Sequence, residues 1–305
     1  MRSICALTGP TGGGKSDLAL RLAASLPIEI ISVDSAQVYR GLDIGTAKPT
    51  LAVRTSVPHH LIDIREPEGN YSAGEFLADV ARLLPEIIAR QRVPLLVGGT
   101  MLYLRALITG ISNLPAAVPE LRAAIDAEAA ERGWPEMHAE LALVDREAAA
   151  RIATNDAQRI QRALEVYRSS GVPLSQWHAA GAQPPPYQFV RLAVVPDRAV
   201  LHQRIEARFR SMLDIGLLDE VRSLRSRGSL TAQHPSIRSV GYRQIWAHLA
   251  GEYDLDTAIL KSVAATRQLA KRQLTWLRSD PQVIWLDPAA VNAYAAVRSQ
   301  VVQTM

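Results

Sequence analysis

One cysteine, Cys5, is all the sequence holds in 305 residues, which excludes an internal disulfide and any multi-cysteine zinc site. It falls in the apolar run "ICALT", where a small buried side chain is expected, and a reducing cytoplasm fits so little cysteine. No apolar stretch reaches the ~20 residues needed to cross a bilayer, so no membrane partner is expected. The apolar part of "MRSICALTGP" is too short for a signal peptide. His59 and His60 lack a Cys, His or acidic partner at metal spacing, and local hydrogen bonds are the expectation for both. Internal repeats, a low-complexity tail and a coiled-coil pattern are also missing, and a monomer is expected.

What is present is a composition of 48% hydrophobic and 21% charged residues, enough for one full core and a second module. The formal charge is only +4, but arginine and lysine recur in the later half, in "AQRIQRALEVYR", "HQRIEARFR", "PSIRSVGYR" and "TRQLAKRQLTWLR". Such runs are either wet helix faces or sites for a polyanion. Short apolar runs, "SICALTG", "IEIISVD" (Ile28–Asp34) and "VPLLVGG" (ending at Gly99), alternate with helical periods from Lys15 to about Leu26 and in "SAGEFLADVARLLPEIIARQ". That alternation indicates an α/β fold with a parallel sheet and flanking helices. "MLYLRALITG" should start another helix. From about Asn113 to Gln183 the texture is helical, with Gly and Pro breaks and no strand. "AQPPPYQ" then forms a stiff hinge, and "FVRLAVVP" restores a strand. A helix from about Arg198, a long one from Asp256 to Arg278, the strand "VIWLD" and a last helix complete the chain. A core of residues 1–112 and 184–305 with an inserted all-helical domain at 113–183 is expected.

"GPTGGGKS" satisfies G-x-x-x-x-G-K-S between a strand and a helix, so the core is P-loop NTPase-like. Gly9, Pro10, Thr11, Gly12, Gly13 and Gly14 would aim backbone N–H groups at phosphate oxygens at a helix N-terminus. Lys15 would reach the terminal phosphate, and the Ser16 hydroxyl would sit on Mg²⁺. This signal is strong for phosphate and weak for reaction type. A triphosphate hydrolase or kinase also generally shows a carboxylate at the end of a nearby strand, yet "VPLLVGGT" ends in Gly-Gly-Thr. Asp34, ending "IEIISVD", is the best acid on offer, as a magnesium ligand, a proton acceptor or a helix cap. Thr100 is either a hydroxyl aimed at a diphosphate or a helix N-cap.

Taken together, "GPTGGGKS", "ISVDSAQVYRGLDIGTAKP", "HHLIDI", "LLVGGTMLY", "NDAQRIQRALEVY", "HQRIEARFRSML", "PSIRSVGYRQIW" and "ATRQLAKRQLTWLR" resemble the tRNA dimethylallyltransferase family, in order, from Gly9 to Arg278. One departure is that family members frequently carry Ala-Ser where this loop has Gly12-Gly13; the exchange leaves the backbone donors intact. The resemblance implies transfer of a dimethylallyl group from dimethylallyl diphosphate to N6 of adenosine 37, in tRNAs reading codons that begin with U. It implies Mg²⁺ and no spending of ATP. The loop would then cradle a diphosphate that departs.

On the same resemblance Asp34 is the base, and Thr100 and Arg208 are diphosphate ligands. Arg204, one helical turn earlier, competes with Arg208 on spacing alone. Asp34, Ser35, Ala36, Gln37 and Thr100 would contact the target nucleotide of the anticodon stem-loop. Further tRNA contacts are implied at Arg122, Gln158, Arg159, Ile160, Gln161 and Arg162, at Arg238, Ser239, Val240, Gly241, Tyr242 and Arg243, and at Lys271 and Arg278. Arg159 and Arg162 share a helix face, as do Arg267 and Lys271. Tyr242 or Trp246 either stacks on a base or packs in the core. Three rivals differ in what they require. A small-molecule kinase needs ATP turnover and a strand-end acid. A prenyltransferase of free adenine nucleotides has little use for such widely spread basic helices. A GTPase-like RNA-binding module needs an N-K-x-D signature, which the chain lacks.

Overall fold

The computed structural model describes residues 2–304. Its elements run β1 (Arg2–Thr8), α1 (Lys15–Ala23), β2 (Ile28–Val33), α2 (Leu51–Ser56), β3 (His59–His60), α3 (Ala73–Ala89), β4 (Val93–Gly98) and α4 (Met101–Thr109). Then come α5 (Pro119–Arg132), α6 (Trp134–Val144), α7 (Arg146–Arg151), α8 (Ala157–Ser170) and α9 (Leu174–Ala179). The chain ends with β5 (Tyr187–Val194), α10 (Arg198–Asp214), α11 (Leu217–Ser226), α12 (Tyr242–Leu249), α13 (Leu255–Arg278), β6 (Val283–Leu286) and α14 (Ala293–Val302).

The six strands form one parallel sheet in the order β3-β2-β4-β1-β5-β6. Side chains alternate across it. Ile4, Ala6, Ile31, Val33 and Leu96 enter one apolar cluster, and Cys5, Leu7, Ile30, Leu95 and Val97 enter the other. Both faces are therefore covered, which is why these strands are continuously apolar rather than half polar. Helix α1 and α14 close the second face, while Phe76 of α3, Leu104 of α4, Phe209 of α10 and Ile245 of α12 fill the first. The central strand β1 lies between β4 and β5, so the loop leaving its C-terminal end sits where the strand order reverses, the usual place for a ligand in such sheets.

The chain divides into two compact units, Met1–Ile108 with Pro185–Met305, and Thr109–Pro184. The second is all helical around Ile125, Met137, Leu141, Ile160, Ala163 and Leu164. It begins four residues before the composition changes. Gly110 turns in the left-handed region (φ 75°), and a Cβ there would strike the Gln183 backbone, so the neck closes at that glycine. No helix among the described residues is long and apolar enough to cross a membrane.

Some elements were not expected from the sequence, among them the short helix α2. His59–His60 forms a short edge strand on β2, too brief and polar to show a strand period. Helix α12, which the sequence left unassigned, starts at Gly241 (φ 92°), whose N–H donates to Gln244 Oε1.

Candidate active site

The glycine loop turns tightly against neighbouring backbone at two of its glycines. Gly9 has φ 136° and sits against the Val194 carbonyl of β5. A Cβ on Gly13 would lie 2.8 Å from Val194 O and 2.9 Å from Pro10 O. Gly14, left-handed at φ 93°, turns the chain into α1 with Lys15 as its first residue. The Lys15 ammonium donates to the Gly9 and Pro10 carbonyls at 3.0 and 2.8 Å. Burial pushes Lys15 down to about 8; the Asp34 carboxylate opposes that shift and Arg208 adds to it. Arg208 is also lowered by burial, with Asp34 and Asp17 acting against the shift. Lys15, Asp34 and Arg208 therefore act on one another in a single poorly solvated place, although three distant segments supply them.

Asp34 follows β2 directly. Its Oδ1 accepts from the Ala36 and Gln37 N–H groups at 2.8 and 3.2 Å. That fixes the carboxylate in a turn and leaves Oδ2 without a hydrogen-bond partner among the described residues. Thr100 leaves β4, and its hydroxyl does not cap α4. Thr100 Oγ1 accepts from Ser35 N–H at 3.0 Å and lies 3.3 Å from Ser35 Oγ. The ends of β2 and β4 are thus joined beside Asp34. The Gln37 amide is already engaged: it accepts from Ser32 Oγ and donates to the Thr46 and Ala47 carbonyls.

Two cavities meet at these residues. One, about 700 Å³, holds Gly12–Ser16, Arg204 and Arg208. The other, about 430 Å³, is walled by Met101, Ile205, Phe209, Met212, Val240 and Trp276, with Arg238 and Arg272 also lining it. Thr11, Gly12, Asp34, Gly99, Arg208 and Gln273 line both. Arg208 thus stands at the junction, whereas Arg204 lines only the phosphate-loop side, which separates two arginines that spacing alone left equal.

Several expected contacts are placed differently. The Tyr242 ring is fully buried, its hydroxyl donates to Glu220, and Trp246 is 9% exposed; neither offers a face to a base. Ile160 is likewise inside the helical core. Arg162 and Arg122 turn inward onto the fully buried Glu165, and Arg162 also donates to Pro115 O. Of Arg159 and Arg162, only Arg159 faces solvent, beside Asp156 at 3.4 Å. Gln158 is exposed, and Gln161 donates to Asp126. Arg267 pairs with Glu206 of α10. In the core unit Arg238, Arg243, Lys271 and Arg278 are exposed, while Ser239 and Val240 are half-buried and Gly241 is buried. His59 bonds the Val57 carbonyl nearby, whereas His60 reaches the buried Glu29 across the strand pair.

Two residues at the site escaped sequence reading. Glu220 accepts from the N–H groups of Asp43, Ile44 and Gly45, pinning the loop after β2, and nothing in "LLDEVRSL" signals it. Gln273 did leave a signal. It falls between Ala270 and Leu277 on the buried face of α13, where a polar side chain needs partners.

The family described as IPP transferase matches residues 37–280. A tRNA dimethylallyltransferase from Bordetella pertussis is 56% identical over 298 residues, covering 96% of this chain and 95% of that protein. One from Methylibium petroleiphilum is 59% identical over 294 residues, with 94% and 89% covered. Among solved structures, the tRNA isopentenylpyrophosphate transferase of Bacillus halodurans aligns with TM-score 0.73 at 35% identity, covering 100% of this chain and 97% of that one. A eukaryotic dimethylallyltransferase acting on tRNA aligns with TM-score 0.82 at 25% identity, covering 98% and 78%. A parallel sheet flanked by helices, with an inserted helical unit, is shared with these enzymes, and the chain belongs to the tRNA dimethylallyltransferase family, enzymes that transfer a dimethylallyl group to tRNA.

Proposed function

We propose that this enzyme takes the dimethylallyl group from dimethylallyl diphosphate and places it on N6 of adenosine 37 in the anticodon loop of tRNAs reading codons that begin with U. The observation that carries the assignment is the convergence of Lys15, Asp34 and Arg208 where an anion-binding cavity meets an apolar one. Diphosphate lies on Gly9–Ser16 in this reading, and the allyl carbons and the extruded base lie towards Asp34 and the apolar wall. An unpaired loop base enters such a site at a cost of roughly a few kcal/mol.

The chemistry needs little more. C–O cleavage leaves developing positive charge on the allylic carbon and additional negative charge on the departing diphosphate. Loop N–H groups, Lys15 and Arg208 stabilise that anion more than they stabilise the bound donor. The adenine amine is a weak nucleophile, because its lone pair is delocalised into the ring. Asp34 Oδ2 accepts a hydrogen bond from N6–H, orients the amine and takes the proton as the C–N bond forms. Thr100 steadies this arrangement through Ser35 and lends its hydroxyl to the diphosphate.

Among the described residues no three or more His, Cys, Asp or Glu gather as a metal cage. The exposed Ser16 hydroxyl at the start of α1 instead suits Mg²⁺, which keeps waters and substrate oxygens as most of its ligands. When bound there, the ion neutralises charge on the leaving diphosphate. Arg159, Arg238, Arg243, Lys271 and Arg278 supply phosphate contacts in this reading, which fix register and carry no base information themselves. The helical unit, including Arg159, contacts tRNA. The enzyme works in the cytoplasm as a monomer.

The test is to mix protein, Mg²⁺ and radiolabelled dimethylallyl diphosphate with unmodified tRNA, omitting ATP. Label at adenosine 37 is expected, and Asp34→Ala should lose it by about 10²- to 10⁴-fold while tRNA still binds. Unchanged transfer by Asp34→Ala removes its role as base. Phosphoryl transfer from a nucleoside triphosphate, with the isoprenoid donor untouched, defeats the assignment as a whole.

A further inference from the structure

A primary amide buried among apolar side chains is stable only if both its ends are hydrogen-bonded. Gln273 of α13 is 7% exposed and satisfies both ends in an informative way. Its Oε1 accepts from the N–H of Thr11, within the phosphate loop, at 2.9 Å. Its Nε2 donates to the carbonyl of Gly99, at the end of β4, at 2.8 Å. Gly99 adjoins Thr100, which holds Ser35, which adjoins Asp34. The amide lines both cavities at their junction. Gly99 is where a side chain would interfere, because a Cβ there would collide with Gln273 Nε2.

We infer that Gln273 is a positioning residue for the transfer, a strut that fixes the spacing between the loop holding the departing diphosphate and the strand ends that hold the base. The inference rests on the proposed roles of the phosphate loop and Asp34. The reaction needs two partners held at once, the allylic carbon on the diphosphate side and the amine on the Asp34 side. A displacement of about 1 Å between them is enough to lower the rate by about 100-fold. Among the described residues no backbone hydrogen bond joins the loop after β1 to the chain leaving β4 beyond Gly98. The single amide spans them. It also links both to α13, the helix that carries Lys271, Arg272 and Arg278.

Gln273→Met keeps length and apolar bulk and removes both hydrogen bonds. Gly99→Ala leaves Gln273 in the chain but displaces its amide, and Gly99 is not in the left-handed region, so the collision is the main obstacle to alanine. Each variant should lower kcat about 10- to 100-fold, with the Kd for tRNA within about twofold of the unaltered protein. The double variant should be no worse than either single one, because both break the same contact. Losses that multiply in the double variant, or a kcat within twofold in either single variant, overturn the strut. If Gln273→Met does not fold, Gln273→Glu replaces it: one oxygen still accepts from Thr11 while the other repels the Gly99 carbonyl, and a wild-type kcat there overturns the proposal equally. A readout independent of turnover separates this inference from the assigned reaction. Amide hydrogen exchange at Thr11 should quicken about tenfold in Gln273→Met. Unchanged exchange there refutes the strut even if the protein prenylates tRNA, and quickened exchange supports it even if the substrate assignment fails.

Discussion

Two sets of basic residues, one in each unit, are used in opposite ways. In the helical unit four arginines are engaged by carboxylates: Arg122 and Arg162 by the buried Glu165, Arg168 by Glu128 and Glu140, and Arg132 by Glu140. In the core unit Arg204, Arg208, Arg238, Arg243, Lys271, Arg272 and Arg278 have no ion-pair partner among the described residues. A run of basic residues looks the same in either setting. What separates a structural cation from one kept for a polyanion is whether the fold has already supplied its anion. A guanidinium left without a carboxylate in a cavity is costly, and the expense is offset only when an anionic ligand arrives.

The largest expected effect lies at the most enclosed of these unpaired cations. Arg208→Ala should lower single-turnover prenyl transfer by about 10²- to 10³-fold, the scale for removing one preorganised charge stabiliser, with tRNA affinity unchanged. Arg204→Ala, on one cavity only, should lose far less. Equal losses in the two variants would erase the distinction between junction and rim.

Next comes the paired class. Arg162→Ala leaves Glu165, fully buried, with Arg122 and the Val118 N–H as partners. Losing one charged hydrogen bond there should reduce stability by about 2 kcal/mol in denaturant titration. Under folded conditions the salt dependence of tRNA binding should stay as it was. A preserved midpoint with a shallower salt slope would show that Arg162 serves RNA after all and would break the comparison.

Smaller again is the exposed class. Arg278→Ala should weaken tRNA about five- to tenfold at moderate salt and reduce the slope of log K against log salt by about 1, with no change in stability. Arg243→Ala sharpens the point, since it too is exposed and unpaired. If either variant lowers the denaturation midpoint instead, freedom from carboxylates is not the mark of an RNA contact.

The sheet, the glycine loop between β1 and α1 and the placing of Asp34 at a strand end were legible in the sequence because each rests on local pattern. Apolar runs covered on two faces, a glycine loop between strand and helix, and an acid at a strand end are all short-range signals. Arg162 and Tyr242 were not legible. Arg162 sits on a basic helix, and only the tertiary fold brings Glu165 and Pro115 to it. Tyr242 lies beside arginines in sequence, yet its ring fills the core against Gly45, where a Cβ would sit 2.5 Å from the ring. Glu220 belongs to the same class, since its three backbone donors are about 175 residues away. Long-range partners decide such residues, and a single sequence carries no trace of them.

The smallest effect concerns Lys15, the one cation of the site that the fold both buries and lends to its own carbonyls. Burial lowers its proton affinity from the ordinary 10.5 to about 8. Between those values the unfolded chain holds more protons than the native one, so Lys15 contributes a stability that rises with pH across that window. Below about 8 the ammonium is charged in both states and its burial is a standing cost. Function should run the other way, because the diphosphate wants the charged form. From pH 7 to 8.5 the charged fraction falls from about nine-tenths to about a quarter, so inorganic pyrophosphate should bind about fourfold more weakly at the higher pH. Calorimetric titration across that range tests it, with Lys15→Arg as the control that stays charged and should show no such decline. A decline shared by the arginine variant would assign the titration to another group and leave Lys15 outside the pH response.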